Sequence, residues 1–206
     1  MMKVQRLAEH EISEDSVRAA TGRGLDEWFS LIDARGGENL GRRAIGDWMN
    51  GELKIAPWWT GTITCEYEIA RGQVEKDGQP KGYTICVTKG IKADAGRCYD
   101  AFTGSALLDK WFGGNNRIEL KEAGRWQNGD GNAATIRKLN PGRNIRLNWE
   151  DAGLTMPTPV EIKFKGTAGK CTVMVTIDRL QTRAEADGYR EAWGRSLDQL
   201  KLLLEK

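Results

Sequence analysis

Apolar residues recur at helical spacing through the last stretch of the chain, Arg183 to Lys206. Ala186, Tyr189, Trp193, Leu197, Leu200 and Leu204 follow one another at steps of three, four, four, three and four, which stacks them on one face of an α-helix. Glu185, Arg190, Glu191, Arg195, Asp198, Lys201 and Glu205 occupy much of the remaining surface, and Thr182 with Glu185 has capping-box spacing. The hundred residues before this helix alternate with period two instead. Tyr83, Ile85, Val87 and Ile91 share one side of a strand. Ile145, Leu147 and Trp149 do the same, as do Val160, Ile162 and Phe164, and then Cys171, Val173, Val175 and Ile177. Shorter strands are expected at 117–121, with Ile118 and Leu120 on one side, and at 124–127 and 133–139. Asn140-Pro141-Gly142-Arg143 reads as a β-turn. Between the first strand and this meander lie two helices. One runs over 93–103 with Ala95, Cys98 or Tyr99, and Phe102 inward. The other is short, capped by Ser105 and running to Trp111 and Phe112, where Gly113-Gly114 stops it.

The N-terminal third is patterned differently. Residues 1–12 read as a flexible lead-in. Ser13 caps a helix over 14–21, and Gly22 and Gly24 break it. Leu25, Trp28, Phe29 and Ile32 form the face of a second helix, 25–34, ended by Gly36-Gly37. Ile45, Trp48, Met49 and Leu53 form that of a third, 42–53. Residues 57–71 fit two patterns. Positions 62–69 alternate as an exposed strand does, whereas Gly61, Thr64, Glu68 and Arg71 make a polar helical stripe behind Pro57. Three short helices need a fourth partner, which favours helix. Residues 13–71 then form a small helical domain around Trp28, Trp48, Trp58 and Trp59, and the polar, glycine-containing stretch 72–82 is a linker to residues 83–206.

Composition narrows the function classes. Thirty-one basic and 29 acidic residues leave a net charge of +2 with both signs interspersed, which speaks against nucleic acid as partner. No stretch approaches the roughly 20 apolar residues of a membrane span, and the first sixteen residues carry no apolar signal core, so a cytoplasmic protein is expected. Cys65, Cys86, Cys98 and Cys171 contain no C-x-x-C pair and read as buried free thiols. The single histidine, His10, lies outside residues 82–206. A histidine-based triad or dyad is therefore not expected there, and no spacing suggests a metal or cofactor. The glycine runs at 113–114 and 129–131 read as turns.

Two resemblances add to this. ATGRGLDEWFSLIDARG (20–36) and APWWTGTITCEYEIARG (56–72) resemble a small bacterial helical domain of unknown function. RCYDAFTGSALLDKWFGG (97–114), EAGRWQNGDG (122–131), LNPGRNIRLNWED (139–151) and YREAWGRSLDQLKLLLEK (189–206) resemble the START-like (SRPBCC, helix-grip) superfamily. The branch is that of homologues of the heat-shock-protein-90 ATPase activator, and the likeness covers about 82–205. The implied fold class is α+β, a curved antiparallel sheet wrapped around a long C-terminal helix, preceded by an all-α domain. The resemblance also implies an apolar cavity between sheet and helix, and Trp111, Trp126, Trp149 and Trp193 match the family's recurrent aromatic positions.

The expected function is therefore the binding of a hydrophobic or aromatic small molecule. The candidate walls are Phe102, Trp111, Phe112, Trp126, Trp149, Met156, Tyr189 and Trp193. Buried indole N–H and phenol O–H groups must be paired. Trp149, Trp193 and Tyr189 are thus expected either to find protein acceptors or to orient a guest. Two further readings stand beside this one. A cyclase- or hydrolase-like enzyme would need an acid or base in the cavity, drawn from Tyr99, Asp100, Asp130, Arg146 or Glu150, and nothing in the sequence favours one of them. An interaction protein of the chaperone-activator kind would engage a protein partner, and the N-terminal helical domain offers a surface for such a partner or for self-association.

Overall fold

The computed structural model describes residues 12–151 and 153–206. His10 and nearly all of the expected lead-in lie outside them. Ile12 is half-buried against the helical core. The described residues form two compact units, one of 12–83 with Gln181–Arg183, the other of Thr84–Leu180 with Ala184–Lys206.

The first unit is helical. Helix α1 (Glu14–Thr21) starts at Ser13, whose hydroxyl accepts from Ser16 N, and ends at Gly22 in the left-handed conformation. Helix α2 (Leu25–Ala34) buries Trp28 and Ile32. Helix α3 begins at Arg42–Gly46 and widens into a π-helix over Asp47–Glu52. The wider turn changes which residue faces inward. Trp48 and Met49 are buried, but Leu53 is 40% exposed, against expectation. Ile55, whose N–H bonds the Met49 carbonyl, packs on the core in its place. Helix α4 (Pro57–Ala70) resolves the ambiguous stretch as helix. It is buried on several sides, Thr60, Thr62, Thr64 and Glu68 included, which is why its polar residues mark no single solvated face. Glu68 is compensated by Arg42 at 2.5 Å and Lys81 at 2.9 Å. The stretch after α4 is more than a linker. Val74 and Pro80 form an antiparallel bridge, and Lys81 anchors that small hairpin to Glu68.

The second unit is the helix-grip fold. Its sheet has the order β1-β7-β6-β5-β4-β3-β2. The strands are β1 (Tyr83–Ile91), β2 (Arg117–Ile118), β3 (Arg125–Gln127), β4 (Ala133–Asn140), β5 (Asn144–Glu150), β6 (Thr158–Thr167) and β7 (Lys170–Leu180). The pairs from β2 through β7 are all antiparallel. Helices α5 (Ala95–Thr103) and α6 (Ser105–Leu108) follow β1, and α7 (Arg183–Leu204) closes the chain. The Asn140–Arg143 turn is hydrogen-bonded at 3.0 Å with Gly142 at φ 67°, a conformation glycine adopts freely.

Three local expectations change. Ser105 does not cap α6, whose N-cap is Gly104, and Trp111 and Phe112 lie in the turn beyond the helix. Strand β2 stops at Ile118 because residues 119–124 fold into turns, with Ala123 at φ 61°, and Leu120 is 51% exposed. Cys86 is exposed on β1, while Cys65, Cys98 and Cys171 are buried free thiols.

The inner residues of β5 to β7 are buried, as the alternation requires. The outer face carries ion pairs. Partial burial opposes ionisation of Glu161, but hydrogen bonds from Lys163, Arg146 and Asn144 outweigh it and hold its carboxyl down at about 2.

Two measurements check this picture. Met49→Ala should cost about 2–5 kcal/mol in urea unfolding, whereas Leu53→Ala should stay within about 0.5 kcal/mol. Because the Glu161 carboxyl is depressed in the folded state, its contribution is present above the ordinary carboxylate range and is lost as pH falls towards about 2. Glu161→Gln should flatten that acid limb of the stability curve.

Candidate functional site

The site grows from the alternation of β5. With Ile145 and Leu147 inward, Trp149 must be inward too, at the end of the strand. Its cross-strand neighbours are small, Ala134 on β4 and Thr158 on β6. Ala134 also pairs with Trp126 on β3. The two indoles therefore meet over an alanine, with centroids 5.2 Å apart. From the other side α7 lowers Trp193 onto Trp149, 5.8 Å away, and Phe112 fills the angle between them at 5.0 Å from Trp193 and 5.9 Å from Trp149. Trp111 touches Phe112 at 5.0 Å and Phe102 at 4.7 Å, extending the cluster towards α5. All of these but the tilted Phe112–Trp193 pair meet edge to face, and such contacts each contribute about 0.5–1.5 kcal/mol beyond area burial.

Six of the eight expected wall residues thus lie in one continuous ring network: Phe102, Trp111, Phe112, Trp126, Trp149 and Trp193. Tyr189 is 1% exposed on α7, one helical turn before Trp193. Met156 stands apart. It is half-buried in the β5–β6 loop and lines an open cleft of about 380 Å³ with Gly131, Ala133, Glu150, Asp151, Leu154, Thr155 and Pro157.

The polar atoms of the cluster divide sharply. The Trp111 indole donates to the Ala101 carbonyl at 3.0 Å, and that of Trp126 to Asn116 Oδ1 at 2.9 Å. Asn116 is itself held by Asp109 and the Gly113 carbonyl, and its backbone N–H keeps the Asp109 carboxyl low. By contrast Trp149 Nε1, Trp193 Nε1 and the Tyr189 hydroxyl are buried with no hydrogen-bond partner among the described residues. The Tyr189 hydroxyl sits near enough to Asp151 and the Trp149 indole for both to influence its ionisation, yet makes no hydrogen bond of good geometry with either. Burial first, and Asp151 second, push its ionisation far above the ordinary tyrosine range. It remains a neutral hydroxyl that keeps its proton.

Three contributors were not legible in the pattern. Asn116, which no expected element includes, is the acceptor for Trp126. Asp151 lies beside Tyr189. Glu185 was expected on the solvated face of α7 but is 1% exposed. Its carboxylate accepts from the backbone and hydroxyl of Thr155, at 2.8 and 2.6 Å, and so ties the β5–β6 loop to the helix.

None of the five acid–base candidates reaches the cluster as a free titrating group. Arg146 and Glu150 point outward, paired with Glu161 and Arg125. Asp100 is exposed, Asp130 lines a different cleft beside Asp109 and Lys110, and Tyr99 packs against Phe164 in the core. Among the described residues no group of three or more histidine, cysteine or acidic side chains is placed to hold a metal, and no helix is long and apolar enough to cross a membrane.

Removing an unpaired buried hydroxyl and removing a paired donor should have opposite costs. Tyr189→Phe should leave thermal stability unchanged or raised. Trp126→Phe should lower it by about 1–3 kcal/mol, because Asn116 Oδ1 is left buried without its donor. Calorimetry of the two variants in parallel reads this directly.

Comparison with known proteins agrees with the geometry. Among curated proteins none matches the chain. Several solved structures share the fold. CalU16 from Micromonospora echinospora superposes with a TM-score of 0.54 at 16% identity, over 59% of this chain and 75% of that one. The Aha1 dimer from Colwellia psychrerythraea gives 0.54 at 22%, over 60% and 96%. An HSP90 activator from Plasmodium falciparum gives 0.52 at 13%, over 60% and 96%. At these identities the likeness is one of fold. The model of one protein family, however, matches residues 92–205. With the helix-grip topology and the aromatic cluster inside that span, the chain belongs to the family described as Activator of Hsp90 ATPase homolog 1-like protein.

Proposed function

We propose that the second unit binds a hydrophobic or aromatic small molecule between the inner face of the sheet and α7. The observation that carries this reading is the set of three unpaired atoms, Trp149 Nε1, Trp193 Nε1 and Tyr189 OH. An unpaired buried polar group costs about 1–3 kcal/mol. Here three converge at the end of one strand and on one helix face, while the two other indoles of the cluster have protein acceptors. Fold stability does not account for that arrangement, and a guest that supplies acceptors does. The walls are Phe102, Trp111, Phe112, Trp126, Trp149, Tyr189 and Trp193, and Met156 lies at the rim. The loop that Glu185 fastens through Thr155 borders the approach.

On this reading the protein is a cytoplasmic binding module rather than a catalyst. Tyr189, the titratable group of the cluster, is held protonated and serves to orient. Residues 13–71 form a separate helical domain, joined through 72–82 to the helix-grip domain at 83–206. That helical domain recruits a protein partner or a second copy of the chain.

Denaturing the purified chain and extracting it for mass spectrometry should release a small apolar compound in near-stoichiometric amount. Trp193→Ala should lose the compound as well as about 3–5 kcal/mol of stability. Leu200→Ala should lose stability while retaining the compound. An empty extract together with no thermal shift across lipid and aromatic libraries would overturn the reading.

A further inference from the structure

The 31 basic and 29 acidic residues of the chain are not spread evenly over its surface. They separate on the outer face of the sheet, at the end where the β4–β5 and β6–β7 turns lie. Ile145, Leu147, Ile162 and Phe164 point inward, so the residues alternating with them point out. Lys138 on β4 stands opposite Arg146 on β5, and Arg146 stands opposite Glu161 on β6. Along β6 the next outward positions are Lys163 and Lys165. The turns add Arg143, whose carbonyl accepts from Phe164 N, and Lys170 at the start of β7. A bulge in β4 adds one more. The register slips by one residue between Ile136 and Lys138, and the extra residue, Arg137, is exposed next to Lys138.

Seven cations thus gather around one carboxylate, a local balance of +6, so the remainder of a chain with net charge +2 carries −4. Glu161 takes Arg146 and Lys163. Asp94, which approaches the β6–β7 turn from the α5 side, is taken up by the Gly169 N–H. Arg137, Lys138, Arg143, Lys165 and Lys170 are exposed and form no ion pair among the described residues. Fold stability does not ask for this arrangement. Like charges directly opposite on neighbouring strands are destabilising, and Lys138 faces Arg146 in that way. An anion laid across the strands removes the cost. The whole-chain balance that speaks against nucleic acid is an average over faces, whereas the electrostatic footprint of a nucleic-acid binder is a patch on one of them.

The chemistry of the patch favours one class of polyanion. A protein interface is built round an apolar core. None of the exposed large apolar side chains, Leu31, Leu53, Val74, Leu120 and Leu202, lies here, and Met174 is half-buried. A stable hold on a lipid surface takes charge together with an inserted apolar group, and the same lack applies. The outward positions of β4 to β7 at this end hold no tryptophan, tyrosine or phenylalanine, so unstacked bases find no platform. What remains is charge alone, which is how the phosphate backbone of a duplex is held. We propose that this patch binds double-stranded nucleic acid through its phosphates, without reading sequence. Arg137, Lys138, Arg143, Lys165 and Lys170 supply the contacts, while Glu161 keeps Arg146 and Lys163 in place. The inference goes beyond the small-molecule reading above and does not rest on it.

The test is fluorescence anisotropy of the full chain with two labelled DNA duplexes of about 20 base pairs and unrelated sequence, at about 50 to 200 mM salt. Five phosphate contacts give a slope of log affinity against log salt of about −4 to −5. Both duplexes should bind with the same affinity within about two-fold, since the phosphates carry no sequence. Lys138→Glu should weaken both alike and make the slope shallower by about 1 to 2. Its new pairing with Arg146 should at the same time raise the melting temperature. Arg43→Glu, the same charge change at a 95% exposed side chain of α3, should leave affinity within about two-fold. The wild-type slope stands even if a variant fails to fold. No binding at the lowest salt, a slope shallower than about −2, or equal weakening by the two variants each overturns the inference. So does tighter binding of poly-glutamate or of phosphatidylserine vesicles at equal charge, which would make the partner an acidic protein or a lipid surface. None of these outcomes bears on the small-molecule site.

Discussion

Everything in the second unit depends on how α7 is held over the concave face of the sheet. The helix brings a stripe of alanine, tyrosine, tryptophan and leucine, and all six stripe residues are buried. A helix of 22 residues with such a stripe has no stable state in water apart from a surface that covers it. Trp149, on the inner face of β5, is part of that surface, 5.8 Å from Trp193. The stripe is not uniform. Its second half is leucine, which packs without polar atoms to satisfy. Its first half is Tyr189 and Trp193, which carry hydrogens that need acceptors. The same contact that stabilises one half of the helix therefore leaves the other half chemically unfinished.

That difference connects stability with function. Cores tolerate aromatic residues when their polar atoms find partners, as those of Trp111 and Trp126 do through Ala101 and Asn116. Where they do not, the native state retains a cost that a bound molecule can relieve, and binding then adds to stability by linkage. Glu185 belongs to the same design. A buried carboxylate at the first turn of α7 is satisfied by the Thr155 hydroxyl and backbone, so helix and loop share one anchoring point beside the cleft.

The helical unit follows a different logic. It is small, and it gains buried area from large side chains: Trp28 and Trp48 meet edge to face at 6.3 Å around Met49 and Ile32. Its central helix α4 buries threonines and a glutamate, which demands partners rather than apolar contact alone. Thr64 bonds the Thr60 carbonyl, Glu68 takes Arg42 and Lys81, and Tyr67 donates to Asp33 at 2.5 Å. These polar anchors fix the register of the helices against one another.

The order of elements, the inward face of each long strand and the buried stripe of α7 were all present in the chain as periodicities, because period two and period 3.6 are consequences of local backbone geometry. The aromatic cluster was legible for the same reason: Trp149 and Trp193 inherit their direction from β5 and α7. Contributions from neighbours distant in sequence were not. The π-turn that exchanges Leu53 for Ile55, the early end of β2, the burial of Glu185 and the choice of Asn116 as acceptor each depend on a residue elsewhere in the chain. The sequence by itself determined which side chains of the long strands and of the α7 stripe would face inward. Only the tertiary structure decided which of their polar atoms would be paired, because a hydrogen bond requires a partner within about 3 Å, and no pattern along one segment records what another segment brings to that distance.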